Sequence, residues 1–262
     1  MAMWQIIKNE WRSLIRNRAL FGLSIGFIVL LSVTMLLGDW QLQNDTQNYT
    51  EAKNHLRSQW ESIKEMSPHG AAHYGTYVFK PNTLLSSLDD GVNSITGKVL
   101  RVEGHVQNEI VFSEASQSQA ISKFGKLKSA LLLQYIIPLM LLFLAFQSVN
   151  REKNGGRLKL LVLQGANVTK LAFAKVIAVS FYGIGLLLLT FLVYTFLNLV
   201  NLSIDILYRA LLLLVSYSLY YFVLTALTVS FSIRFKNINL ALTSMLGIWI
   251  FWTIFLPNIL MS

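Results

Sequence analysis

His69 and His73 stand four residues apart, the spacing that places two imidazoles on one helical face for zinc. Pro68 and Gly70 flank the pair, no glutamate lies between them as in a metalloprotease helix, and only Asp89, Asp90 and His105 could complete a ligand set. They read as surface or turn histidines, and no metal is expected. Gly91-Val-Asn-Ser-Ile-Thr-Gly97-Lys98-Val99 looks like a phosphate loop. It has five residues between its glycines where such a loop has four, and Val99 stands where Ser or Thr would hold magnesium. It reads as a turn, so no nucleotide chemistry and no catalytic residue are expected of this chain. Further along, Ser216, Tyr217, Tyr220, Tyr221, Thr225 and Thr228 recur at three- and four-residue steps within an apolar stretch. They could line a substrate path, or they could pack helix on helix through their hydroxyls.

The elements that would carry these residues belong to a membrane. The chain is 54% hydrophobic and 13% charged, with a mean hydropathy of +0.51, outside the range of soluble domains. It has no cysteine, which excludes disulfides and thiolate metal sites. Its net charge of +9 is concentrated in Met1–Arg18, Asn150–Lys175 and the pair Arg234 and Lys236, which together hold twelve basic residues against two acidic ones. The remainder is close to neutral. Basic segments beside apolar spans mark cytoplasmic loops, which argues against a nucleic-acid partner and for membrane lipid.

Five stretches approach the length of about 20 residues needed to cross the hydrocarbon. They are Ala19–Leu37, Ala130–Val149, Val176–Val200, Ala210–Ile233 and Leu240–Leu256. The first is long and no small-residue cleavage pattern follows Leu37, so it reads as a retained anchor. With a cytoplasmic N-terminus, 38–129 and 201–209 lie outside while 150–175 and 234–239 lie inside. Lys123, Lys126 and Lys128 run against this orientation at the outer end of the second span. No span contains an ionisable residue, which disfavours an ion-driven carrier.

The expected fold is an all-α polytopic membrane protein with a small α+β extracytoplasmic domain at 38–129. In that domain Tyr49, Ala52, Leu56, Trp60 and Ile63 mark a helix that Ser67-Pro68 should stop. Leu100, Val102 and Val106 alternate with Arg101, Glu103 and His105 as in a half-buried strand, and Ser113–Ser122 leads back to the membrane. Before the first span, Trp4, Ile7, Trp11, Leu14 and Ile15 share a face beside Lys8, Arg12 and Arg16, the pattern of an interfacial helix over residues 1–18.

This order of elements resembles the ABC-2 type permeases, in the branch with a large external domain after span one. His73-Tyr-Gly75, Pro81, Leu88-Asp89-Asp90-Gly91-Val92 and Gly97 fall in that branch's order, and Phe124-Gly125-Lys126-Leu127 with Pro138-Leu139 is similar to its return into the membrane. Glu152-Lys-Asn-Gly-Gly156-Arg-Leu158-Lys-Leu160-Leu161, then Gly165 and Lys175, resembles the family's coupling loop, E-x-E-x-G-T-L-x-x-L-L with a later glycine and G-K. Asn154, Arg157 and Ala174 depart from it.

The resemblance implies a permease that performs no chemistry, sits in the cell (inner) membrane and moves substrate outward. It also implies a separate cytoplasmic ABC ATPase holding ATP and magnesium, which Glu152, Gly156, Leu158, Leu160, Leu161, Gly165 and Lys175 would contact. Family members have six spans where five are counted to Ser262, so a second permease copy or a related permease is expected. The alternative is a membrane-anchored assembly or sensing protein whose external domain binds a partner without transport.

Overall fold

The computed structural model describes residues 3–63, 65–91, 93, 99–104, 128–235 and 237–259. His105, Val106, Val92, Gly97, Lys98, Asn108, Ser113–Ser122, Lys123, Phe124–Leu127 and Lys236 lie outside the described residues. The chain divides into two compact units, one of residues 1–31 with 131–262 and one of residues 32–130.

The first unit is helical. Helix α1 (Met3–Ile15) is followed by α2 (Arg18–Glu61), which begins in this unit. The others are α4 (Ser129–Asn154), α5 (Arg157–Leu163), α6 (Val168–Leu197), α7 (Ile204–Arg234) and α8 (Ile238–Ile250); α3 belongs to the second unit. Side-chain caps start three of them. Asn167 accepts from the amides of Thr169 and Lys170, Ser203 from that of Ile206, and Asn237 from those of Asn239 and Leu240. Helices α2, α4, α6 and α7 are long and apolar enough to cross a membrane, whereas the fifth predicted segment forms a shorter apolar helix, 239–255.

Packing is close where glycine permits it. A Cβ on Gly183 of α6 would lie 2.6 Å from Leu141 Cδ1 of α4, so only glycine lets these helices approach so nearly. Leu142, Leu224, Met245 and Trp249 join α4, α7 and α8 in one cluster, and Ile7 joins α1 to Ala174 and Ala178 of α6. Away from these contacts large apolar side chains point outward, among them Phe21, Leu192, Phe196 and Leu219, as lipid-facing surfaces require.

A π-turn over Leu132–Ile136 precedes Pro138 in α4. In that register the carbonyl of Leu133 would accept from the amide of residue 138, but proline has none. Tyr221 of α7, fully buried, donates its hydroxyl to this carbonyl at 2.8 Å. The bond supplies what the proline removes, in a medium where water would not.

In the second unit α2 continues without the expected interruption near Leu37. No proline interrupts 38–61, and the i,i+4 pairs Gln47–Glu51 and Arg57–Glu61 support it as it turns polar. The helix ends at Glu61, before Ser67-Pro68. That dipeptide begins a helix instead: Ser67 Oγ accepts from the amide of Gly70 and Pro68 occupies the first turn of α3 (Pro68–Tyr74). Strand β1 (Thr76–Phe79) pairs antiparallel with β2 (Val99–Val102), Thr76 opposite Val102. The expected burial phase of β2 is reversed, because Leu100 and Val102 are exposed while Val99 and Arg101 are half-buried. Tyr49 meets Phe79 and Trp60 meets Tyr74 edge-on, so two residues of the expected stripe on α2 contact β1 and α3.

The turn over 84–91 is tied to the start of α4. Gly38 lies against it so closely that a Cβ would sit 2.2 Å from the carbonyl oxygen of Ser87. Lys128, buried, pairs with Asp90 and donates to the carbonyl of Ser86 at 2.9 Å, and the Ala130 amide donates to Leu88. Of the three lysines that opposed the expected orientation, Lys128 is therefore neutralised within its own unit, and Lys123 and Lys126 lie outside the described residues.

Candidate functional site

The basic segment at 150–175, expected as a coupling loop or helix, runs through a helical hairpin, α4–α5–α6. Two glycines in left-handed backbone, Gly156 at φ +67° and Gly165 at φ +83°, bracket α5 and allow the chain to break helix at each end. None of the seven residues of α5 is buried. Leu160 and Leu163 are 58% and 74% exposed, Leu158 is half-buried, and Leu161 turns inward to line a cavity. Arg157, where the resemblance has threonine, lines the same cavity.

That cavity, of about 370 Å³, borders a buried ionic cluster. Lys175 of α6 is 2% exposed and reaches Glu10 of α1 at 2.5 Å and Glu152 of α4 at 3.1 Å. It also donates to the hydroxyl of Ser148 at 3.0 Å, and that hydroxyl donates to the second oxygen of Glu10 at 3.0 Å. One cation thus faces two carboxylates, and Glu152 Oε2 is buried without a hydrogen-bond partner among the described residues. Lys175 and Glu152 therefore act inside the hairpin, not on its surface. Glu10, one of the two acids in the basic segments, is not marked as a site residue by any motif. Its place on the face of Ile7 and Leu14, one carboxylate among apolar residues, was the available signal.

Lys153 extends from the end of α4 to the end of α7. Its ammonium donates to the carbonyls of Ser232, Ile233 and Phe235 at 2.5, 2.8 and 2.9 Å, closing the C-terminus of α7. The coupling-like hairpin is thereby joined both to α1, through Glu10, and to α7.

On α7 the hydroxyl-bearing residues separate. Thr225 and Thr228 are buried and donate to carbonyls of their own helix, Tyr221 donates to α4, and Tyr217 accepts from Gln134 at 3.1 Å. Ser216 and Tyr220, with Gln134, Tyr217 and Thr253, line a cavity of about 330 Å³, and Tyr220 accepts from the indole of Trp249. His69 and His73 lie edge-on with ring centres 4.6 Å apart on the exposed face of α3, and among the described residues no group of three side chains could hold a metal.

The expectation that the chain holds no G-x-S-x-G elbow is wrong on spelling alone, because Gly22-Leu23-Ser24-Ile25-Gly26 carries it. It lies within α2 and not at a strand-to-helix turn, and the Ser24 hydroxyl donates to the carbonyl of Leu20 and meets the Tyr182 hydroxyl at 2.5 Å.

Four apolar membrane-length helices with a cation-rich helical hairpin between the second and third define a multi-pass membrane protein. The chain matches the model of the ABC-2 family transporter proteins over residues 4–262, and it belongs to that family of transport permeases. Comparison with curated proteins and with solved structures gives no match.

Proposed function

We propose that this chain is the permease of an exporter driven by a separate ATP-binding-cassette ATPase, and that α5 is where the ATPase docks. The observation that carries the reading is a short helix bracketed by left-handed glycines, with Leu160 and Leu163 uncovered and a buried ionic cluster behind it. A push on α5 has packed and ionic routes into α1, α4, α6 and α7. ATP and magnesium belong to the ATPase, and a second permease copy completes the path. The chain sits in the inner membrane with its N-terminus in the cytoplasm, crosses with 240–256 as a fifth span, and carries 38–129 outside as the domain typical of its branch. Ser216 and Tyr220 are the polar groups offered to substrate, whereas Tyr221 ties α7 to α4 and the hydroxyls of Thr225 and Thr228 are taken up by carbonyls of their own helix.

Docking is tested with Leu160→Asp and Leu163→Asp. Each exposed leucine can carry a charge without disturbing the fold, but a charge buried unpaired against the ATPase costs roughly 3–5 kcal/mol. Co-purification of the ATPase in mild detergent should be lost in both while the permease stays monodisperse. Full retention of the ATPase and its turnover would remove the reading. Orientation is tested with single cysteines: one at Ser62 should react with an impermeant thiol reagent in intact cells, and one at Asn154 should not.

A further inference from the structure

The first unit contains a polar cavity and an apolar groove that share walls. The cavity, of about 630 Å³, is formed by α1, the α1–α2 junction and α4, and it is lined by Arg12, Arg16 and Arg151 with Asn9, Ser13 and Asn17. No carboxylate lines it, and none of the three guanidinium groups forms an ion pair among the described residues. Arg151 donates to Ser13 at 2.8 Å, which holds it toward α1. Asn17 and Gln147 pass from this cavity into the groove, of about 950 Å³, which runs between the first turns of α2 and the middle of α4. Gly22 and Gly26 lie one turn apart along it with nothing within 4 Å of where a Cβ would be, and Phe27, Met140 and Phe143 form its apolar sides.

We propose that the pair is a binding site for one anionic phospholipid drawn from the surrounding membrane. The phosphate lies among Arg12, Arg16 and Arg151, where the N-terminal amides of α2 add positive potential, and an acyl chain follows the groove past Gly22 and Gly26. Charge complementarity selects this occupant. Three unpaired arginines stand at one end of a groove otherwise apolar, at the end of the spans, where lipid headgroups lie. A second copy of the chain would fill the groove but leave the arginines without partners. The outward Trp4 and Ile15 of α1, both 71% exposed, hold the same helix at headgroup depth. The inference needs only the membrane-spanning fold and not the exporter reading, so it is tested on the permease alone.

The purified full-length chain is incubated in mild detergent with equal amounts of dioleoylphosphatidylglycerol and dioleoylphosphatidylcholine, and retained lipid is counted by native mass spectrometry. One phosphatidylglycerol should be held per chain with a preference of about tenfold. Arg12→Gln with Arg16→Gln should abolish the preference. Gly22→Leu with Gly26→Leu should displace both lipids, and because the space there is open and leucine favours helix more than glycine does, the fold should survive. Lys8→Gln, on α1 but outside the cavity, should change nothing. The proposal is overturned if the arginine variant keeps its preference, or if Lys8→Gln loses it equally, which would indicate bulk charge attraction. It is also overturned if inorganic phosphate alone competes the lipid away, marking a free-anion site, or if the glycine variant keeps its lipid but loses self-association, marking a contact between copies.

Discussion

Among the described residues each unit buries one lysine, Lys128 just before α4 and Lys175 in the third turn of α6, and the two are solved differently. Lys128 meets one carboxylate, Asp90, and one carbonyl, so its surroundings are neutral and the link joins a turn to a helix start within one small unit. Lys175 meets two carboxylates, from α1 and α4, beside a cavity that admits Arg157 and Arg151. The first arrangement is balanced as it stands. The second carries an excess negative charge, with the guanidinium groups of Arg157 and Arg151 lining the adjoining cavity.

Removing each lysine is the strongest way to break the comparison. Lys175→Met leaves Glu10 and Glu152 facing one another in a buried site and should cost about 4 kcal/mol, read as a fall in the unfolding midpoint in detergent. Adding Glu10→Gln should recover part of it, because one of the two stranded charges goes; no recovery would mean that the carboxylates do not share the lysine. Lys128→Met takes one cationic partner from Asp90 and should cost about 3 kcal/mol, with faster amide exchange confined to 84–91 and the start of α4. Faster exchange throughout α6 and α7 would contradict a local link. Tyr221→Phe gives the scale for a neutral bond at a helix defect, and should lower stability by about 1 kcal/mol with ATPase binding unchanged.

Much of the first unit was legible because its message is local. Apolar runs of sufficient length mark α2, α4, α6 and α7, whereas the caps at Asn167, Ser203 and Asn237, equally local, form no part of that reading. The basic segments and the glycines around α5 also pointed to the hairpin. What stayed hidden depends on distant partners. Nothing near Glu10 announces Lys175, 165 residues away, and nothing near Lys128 announces Asp90. The Ser67-Pro68 signal was ambiguous by nature, since a proline that cannot continue one helix is well suited to begin another. The reversed phase of β2 has a similar origin: alternation fixes the period of a strand, but which face is covered depends on what packs there.

Pro138 offers a last consequence. In an isolated helix a proline frees carbonyls and makes a joint, and transport cycles often turn on such joints. Here the freed carbonyl of Leu133 is held by Tyr221, so the defect in α4 is tied to the neighbouring helix. Lys153 fastens the same two helices again at their far ends. With two such ties between α4 and α7, the helical ladder of the hairpin is interrupted instead at Gly155-Gly156 and 164–167, on either side of α5.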